Sequence, residues 1–253
     1  MPNISLNLLV ALVGRDFQAQ YRRSLIGPAW VILQVIVYLS IFILLRNFLS
    51  VPSDGKPYPI FAALALVPWT FFVSAINRAG TSAIANGAII KKVAVMREIF
   101  PLAAICLSFV DLLIASLVVI TLAFWYELSL NWTVLLLPVV FIILSMAAFG
   151  VSLVVAAIGV YRRDIIIVLP YVMQIWMLLS PVAYPLSVVP TDWVWLYSLN
   201  PIVGVVEGVR SILLEGEVPD VELLTASFVG SVIILLIGFP FYRKASKYFA
   251  DAL

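Results

Sequence analysis

Six stretches of this chain, residues 24–45, 57–77, 99–126, 128–161, 165–191 and 223–242, share a single charged side chain, Asp111. A helix crossing the hydrocarbon core of a bilayer needs about 20 apolar residues, and each stretch is long enough. One such run suits the buried helix of a soluble core. Six of them in 253 residues cannot all be core helices. The chain therefore reads as an all-α integral membrane protein with six transmembrane helices.

Composition agrees. Hydrophobic residues make up 64% of the chain and charged ones 11%, against roughly 45–50% and 25% in soluble domains. A single membrane domain over residues 1–253 is expected to use the whole length. The absence of histidine removes histidine triads, histidine-ligated zinc and histidine proton relays together. Cys106 is the only cysteine, so no internal disulfide forms. The basic residues form short juxtamembrane clusters with no extended basic face, which argues against a nucleic-acid partner. Arg15 and Asp16 interrupt the first apolar stretch, and no basic region precedes it, so a cleavable signal is not expected there.

Orientation follows from where the cations lie. Arg15, Arg22, Arg23, Lys91, Lys92, Arg97, Arg162, Arg163, Arg243, Lys244 and Lys247 fall on one side of the six crossings. Arg46, Lys56 and Arg210 fall on the other, and Arg78 ends a helix at the inner side. The excess of basic residues marks the cytoplasmic side, so both termini are expected there in a multi-pass protein.

Three segments depart from plain crossings. Residues 3–20 place Leu6, Leu9, Val10, Val13 and Phe17 at helical spacing, which predicts an amphipathic helix in the membrane interface or packed on the protein's own surface. Residues 86–100 predict a short amphipathic cytoplasmic helix suited to docking a partner or facing lipid headgroups. Residues 181–222 predict a re-entrant or interfacial outer segment between helices five and six. Asn200-Pro201 would break it into two short helices. No internal repeat emerges.

Candidates for chemistry are few. Asp111 lies mid-crossing, where a carboxylate is costly and by default functional. The competing reading is a hydrogen-bonded structural residue partnered by Ser108 or a neighbouring helix. Glu215, Glu217, Asp220 and Glu222 match no calcium loop and read as a solvated linker, so no metal site is expected. No GxxxxGK[ST] sequence occurs, so the chain lacks a P-loop of its own. Most tryptophans and tyrosines fall at predicted membrane boundaries. Tyr38, Tyr171 and Trp176 lie deeper, where they either offer flat faces to sugar rings or simply pack helices.

The block Arg22-Arg23-Ser24-Leu25-Ile26-Gly27-Pro28-Ala29-Trp30 after an amphipathic helix resembles the permease subunits of polysaccharide-exporting ABC transporters, the exporters of O-antigen, capsule and teichoic acid. So do Leu66-Val67-Pro68-Trp69-Thr70-Phe71-Phe72, Ile90-Lys91-Lys92 with Arg97-Glu98, and Tyr161-Arg162-Arg163-Asp164. Ser180-Pro181-Val182-Ala183-Tyr184-Pro185, Leu199-Asn200-Pro201 and Glu207-Gly208-Val209-Arg210 continue the resemblance along nearly the whole chain. Relatives commonly carry Pro where Met96 precedes Arg97 here.

The resemblance implies a homodimer in the cytoplasmic membrane with two copies of a separate ATPase, which binds ATP and Mg; this chain would hold no cofactor and no catalytic residue. Lys91, Lys92, Arg97 and Glu98 would couple to the ATPase. Arg22, Arg23, Trp30, Arg162, Arg163 and Asp164 would form a cytoplasmic gate or interface. Tyr38, Tyr171 and Trp176 would line a channel for a lipid-linked polysaccharide, closed outside by the segment bearing Asn200, Pro201, Glu207 and Arg210. A lipid or drug permease, or a membrane enzyme acting on polyprenyl-linked sugars, are the alternatives.

Overall fold

The computed structural model describes residues 2–22, 24–93 and 95–252, and the regular secondary structure among them is entirely helical. Helix α1 spans Pro2–Tyr21, α2 Ala29–Leu49, α3 Tyr58–Ala85, α4 Gly87–Lys92 and α5 Ile99–Trp125. A 3-10 turn, Trp132–Leu136, leads into α6, Leu137–Tyr161, and α7 follows at Asp164–Leu178. The long connection winds through a second 3-10 turn (Leu186–Val188), α8 (Thr191–Ser198), α9 (Pro201–Arg210) and a π-helical turn (Ser211–Glu215). Helices α10, Val221–Ser246, and α11, Phe249–Ala252, complete the chain.

Five helices among the described residues are long and apolar enough to cross a membrane: α2, α3, α5, α6 with its lead-in, and α10. Where a fifth crossing is expected the chain forms α7, whose 15 residues reach only about 22 Å at 1.5 Å per residue. That is less than the ~30 Å hydrocarbon core. Pro181, which lacks an N–H, follows directly. Ser180 tightens the end by donating its hydroxyl to Trp176 O at 2.8 Å and its N–H to Met177 O at 3.2 Å. The rest of that apolar run goes into turns.

Helix α3 sits at the centre. Of its most apolar stretch 78% is buried, against 17% for α2 and for α10. Its alanines explain the position: Ala62, Ala63, Ala65, Ala75, Ala79 and Ala83 are fully buried. Small residues let helix backbones approach in a membrane, where burial of apolar surface gives no drive to associate. The α6–α10 crossing rests on the same device. A Cβ on Gly238 would stand 2.5 Å from Gly150 O, and one on Gly150 2.8 Å from Leu235 N. A second apolar cluster at the inner end joins α1, α4, α5, α6, α10 and α11 through Leu12, Ile90, Phe100, Leu153, Tyr242 and Phe249.

Two expectations change. Helix α1 forms as predicted, but it docks along α5 with Leu12 and Tyr21 buried, while Leu6 and Val10 point outward. Its protein-facing stripe is therefore rotated from the one read in the sequence. In the segment 86–100, expected to form one cytoplasmic helix, the described residues form α4 over Gly87–Lys92 and the start of α5 from Ile99. Val93 is extended, and a turn at Met96 and Arg97 leads into α5, closed by Ile99 N–H to Met96 O at 3.2 Å. β-Branched Val93 and Val95 disfavour continuation, and Pro101 fits only the first turn of the next helix. The bend forms with Met96 in place of proline.

Candidate functional site

Four places in the fold gather polar or exposed aromatic side chains, and they stack from the inner to the outer end of the bundle.

Between α1, α3 and α5 lies an ion pair. Asp111 of α5 pairs with Arg78 of α3. Tyr21 at the end of α1 donates its hydroxyl to Asp111 Oδ1 at 2.8 Å, and Arg78 donates to Ser108 Oγ at 3.1 Å. Ser108 in turn donates to Ala104 O at 3.0 Å. A cavity of about 100 Å³ adjoins the pair, walled by Gln20, Gln34, Thr70 and Ser74. A charge inside a membrane is tolerated when it is paired and its remaining lone pairs are filled. Each Asp111 oxygen has a donor here, which favours the structural reading; its main partner is Arg78, with Ser108 one step further out.

At the inner end, Lys91, Lys92, Arg22, Arg162, Arg163 and Asp164 are all exposed. Arg23 lies outside the described residues. Lys91, Lys92 and Arg163 converge on one open depression with Ile84, Gly87 and Ala88. The other two residues of the coupling group face elsewhere. Arg97 accepts the Tyr242 hydroxyl on its carbonyl at 2.9 Å, and Glu98 lies 3.7 Å from the Arg243 guanidinium. Both therefore tie the start of α5 to α10. The tip between α4 and α5 is instead apolar, with Val93 53% and Met96 67% exposed. Arg15 fixes this corner to α1 by donating to Asn86 Oδ1 at 2.8 Å.

The three deep aromatics separate. Tyr38 on α2 and Tyr171 on α7 are exposed, at 39% and 67%. Trp176 turns inward, edge-on to Phe72 with centroids 5.2 Å apart, and its Nε1 donates to Asn200 Oδ1 at 3.2 Å. It is half-buried and packs within the subunit, whereas the other two side chains are exposed.

The long connection is built around Asn200 and Arg210. Asn200 Oδ1 caps α9 by accepting from Ile202 N at 3.2 Å, and its Nδ2 donates to Ser180 Oγ at 2.8 Å. Pro201 occupies the first turn of α9, where a missing N–H costs nothing. Arg210 is buried and bonds Glu207 at 2.8 Å, Val182 O at 3.1 Å and Phe61 O at 3.4 Å. Its guanidinium also lies 3.6 Å over the Phe61 ring. Burial pushes the Glu207 carboxyl up and the Arg210 guanidinium down, and their mutual contact opposes both shifts. Asp220 serves as a helix cap, accepting from Glu222 N at 2.8 Å and Leu223 N at 3.3 Å at the start of α10. Among the described residues no cluster suited to a metal forms.

Residues 7–214 match the family described as ABC-2 type transporter. The chain belongs to that family. It is similar to the O-antigen export system permease protein RfbA of Myxococcus xanthus, with 27% identity over 250 residues covering 97% of this chain and 95% of that protein. RfbA of Klebsiella pneumoniae is 25% identical over 253 residues, 98% and 95% of the two chains. The polysialic acid transport protein KpsM of Escherichia coli is 25% identical over 255 residues, 94% and 93%.

The sequence left Arg78, Tyr21 and Arg15 without roles. Arg78 carried a usable signal, since a buried carboxylate demands a cation and this one stands at the edge of an apolar run. Tyr21 and Arg15 depend on how α1 docks, which no local pattern encodes.

Proposed function

We propose that this ABC-2 type transporter is the transmembrane subunit of an ATP-driven exporter that moves a lipid-linked, O-antigen-like polysaccharide across the cytoplasmic membrane. The observation that carries the reading is the end-to-end similarity to permeases named for O-antigen and polysialic acid export. The chain forms one membrane domain with six crossings, α7 continuing as the fifth, and residues 181–222 forming a re-entrant outer segment. Both termini lie in the cytoplasm, as the basic bias argues. Two copies line the pathway, and two copies of a separate ATPase bind ATP and Mg.

Supporting the pathway assignment, Gln34 and Tyr38 are exposed one turn apart on α2, and Tyr171 and Gln174 one turn apart on α7. Polar side chains inside crossings turn toward protein or a water-filled cavity rather than lipid. Arg22, Trp30, Arg162, Arg163 and Asp164 border the inner entrance. The ATPase docks on the tip after α4, where exposed Val93 and Met96 present an apolar knob flanked by Lys91, Lys92, Arg97 and Glu98.

Co-purification tests this reading. With the permease tagged and its ATPase co-expressed, Val93→Asp/Met96→Asp is expected to cut recovered ATPase at least tenfold and to abolish surface polysaccharide, while membrane insertion is unchanged. Wild-type ATPase recovery from that variant would remove the docking assignment. Normal surface polysaccharide in cells lacking the permease would remove the export assignment.

A further inference from the structure

The depression between α4 and α7 gathers three cations, two of them beside the proposed docking tip. Lys91 and Lys92 come from α4, and Arg163 comes from the corner before α7. The corner is brought there by helix packing. A Cβ on Gly159 near the end of α6 would lie 3.0 Å from Gly80 O of α3, and Ile166 of α7 closes on the same spot at 3.2 Å. The depression measures about 450 Å³, and Ile84 and Ala88 give it an apolar wall. Among the described residues no carboxylate lies within 4.0 Å of Lys91, Lys92 or Arg163, although Asp164 is the next residue in the chain. Ile167 follows Arg163 by one turn on α7 and is exposed, so an apolar side chain stands next above the cations.

We propose that Lys91, Lys92 and Arg163 form a binding site for the phosphate headgroup of a membrane lipid, whose chain leaves the depression beside Ile167. Three donors with a net positive charge, an apolar wall and a position at the end of spanning helices match an anionic amphiphile. Basic pockets between transmembrane helices on the inner side hold lipid headgroups by this combination, and charge-assisted bonds to phosphate oxygens are the strong ones. Two lipids carry this chemistry: a bilayer phospholipid, and the diphosphate end of a polyprenyl-linked substrate. The site rests on the export reading only for the second.

The experiment uses the full-length permease without its ATPase, so a failure leaves the docking and export tests untouched. Native mass spectrometry in detergent measures binding of phosphatidylglycerol in one arm and farnesyl diphosphate in the other. Each cation near an anionic headgroup contributes about fivefold. The Lys91→Gln/Lys92→Gln/Arg163→Gln variant is therefore expected to bind on the order of 100-fold more weakly. Lys91→Arg/Lys92→Arg should bind like wild type, showing that charge and not misfolding is read. Lys244→Gln/Lys247→Gln, at the inner end of α10 and away from the depression, should change binding by less than about threefold. Selective loss for farnesyl diphosphate assigns the site to substrate, and selective loss for phosphatidylglycerol assigns it to a bilayer lipid. Absence of binding in both arms, an unweakened triple variant, or an equal loss in the α10 control overturns the proposal.

Discussion

Asp111 and Arg78 show how a single residue is tolerated where its charge costs most. Each carries a charge that the hydrocarbon core disfavours, and each is stabilised by the other together with Tyr21 and Ser108. Removing one partner of a buried pair costs about 3–5 kcal/mol, whereas replacing both by apolar side chains is often neutral. Arg78→Met is therefore expected to lower the thermal unfolding midpoint of the permease in nanodiscs sharply, and Arg78→Met/Asp111→Leu to recover most of the loss. A double variant as unstable as the sum of the singles would show that the two residues do not act as a pair. The cost of Asp111 was legible in the sequence, because depth follows from the length of an apolar run. Its partner was not, because the pairing depends on the rotation of α3 against α5, 33 residues away in the chain.

At the scale of elements, the long connection is ordered by side chains that span it rather than by its own helices. Helix α8 has eight residues and α9 ten, and isolated helices below about 12–15 residues are marginal. Asn200 joins them to α7, capping α9 while bonding Trp176 and Ser180. Losing a cap costs about 1 kcal/mol, and the two further bonds add to it. Asn200→Ala is therefore expected to speed amide exchange over residues 191–215 by about tenfold or more. Asn200→Asp keeps the cap and the Trp176 acceptor but cannot donate to Ser180, so it should fall between. Exchange in the alanine variant equal to wild type would show that α8 and α9 are held by apolar packing alone. The break between these helices was readable from Asn200-Pro201, because proline restricts its own neighbour. The length of α4 was not readable, because amphipathic spacing persists through Val93 and Val95 although the backbone there has already turned extended. Nor was the shortness of α7, since an apolar run does not record where the chain leaves its helix.

For the whole molecule, the proposed pairing of two copies turns on which apolar surface the second copy covers. Helices α2 and α10 are equally bare within the subunit, so burial does not choose between them. Chemistry does. From Phe228 to Phe241 the exposed side chains of α10 are Phe, Val, Ile, Leu and Pro, a surface suited to lipid. Helices α2 and α7 expose Gln34, Tyr38, Tyr171 and Gln174, and polar groups within apolar helices are costly against hydrocarbon. Two copies that bring these faces together give the glutamines and tyrosines a shared, wettable pathway and leave α10 outside. With Cys106 replaced by Ser, a single cysteine at Val37 is expected to form a disulfide-linked dimer in membranes under mild oxidation, and one at Ile237 to stay monomeric. The same arrangement predicts that Tyr38→Leu/Tyr171→Leu lowers surface polysaccharide more than either single change, at matched levels of ATPase-bound permease. Trp176→Leu should act differently. Trp176 packs on Phe72 and bonds Asn200, so its loss destabilises the subunit before it alters passage of a sugar chain. Efficient cross-linking at Ile237 with none at Val37 would place the second copy on α10, and the exposed tyrosines would then need another explanation for their depth.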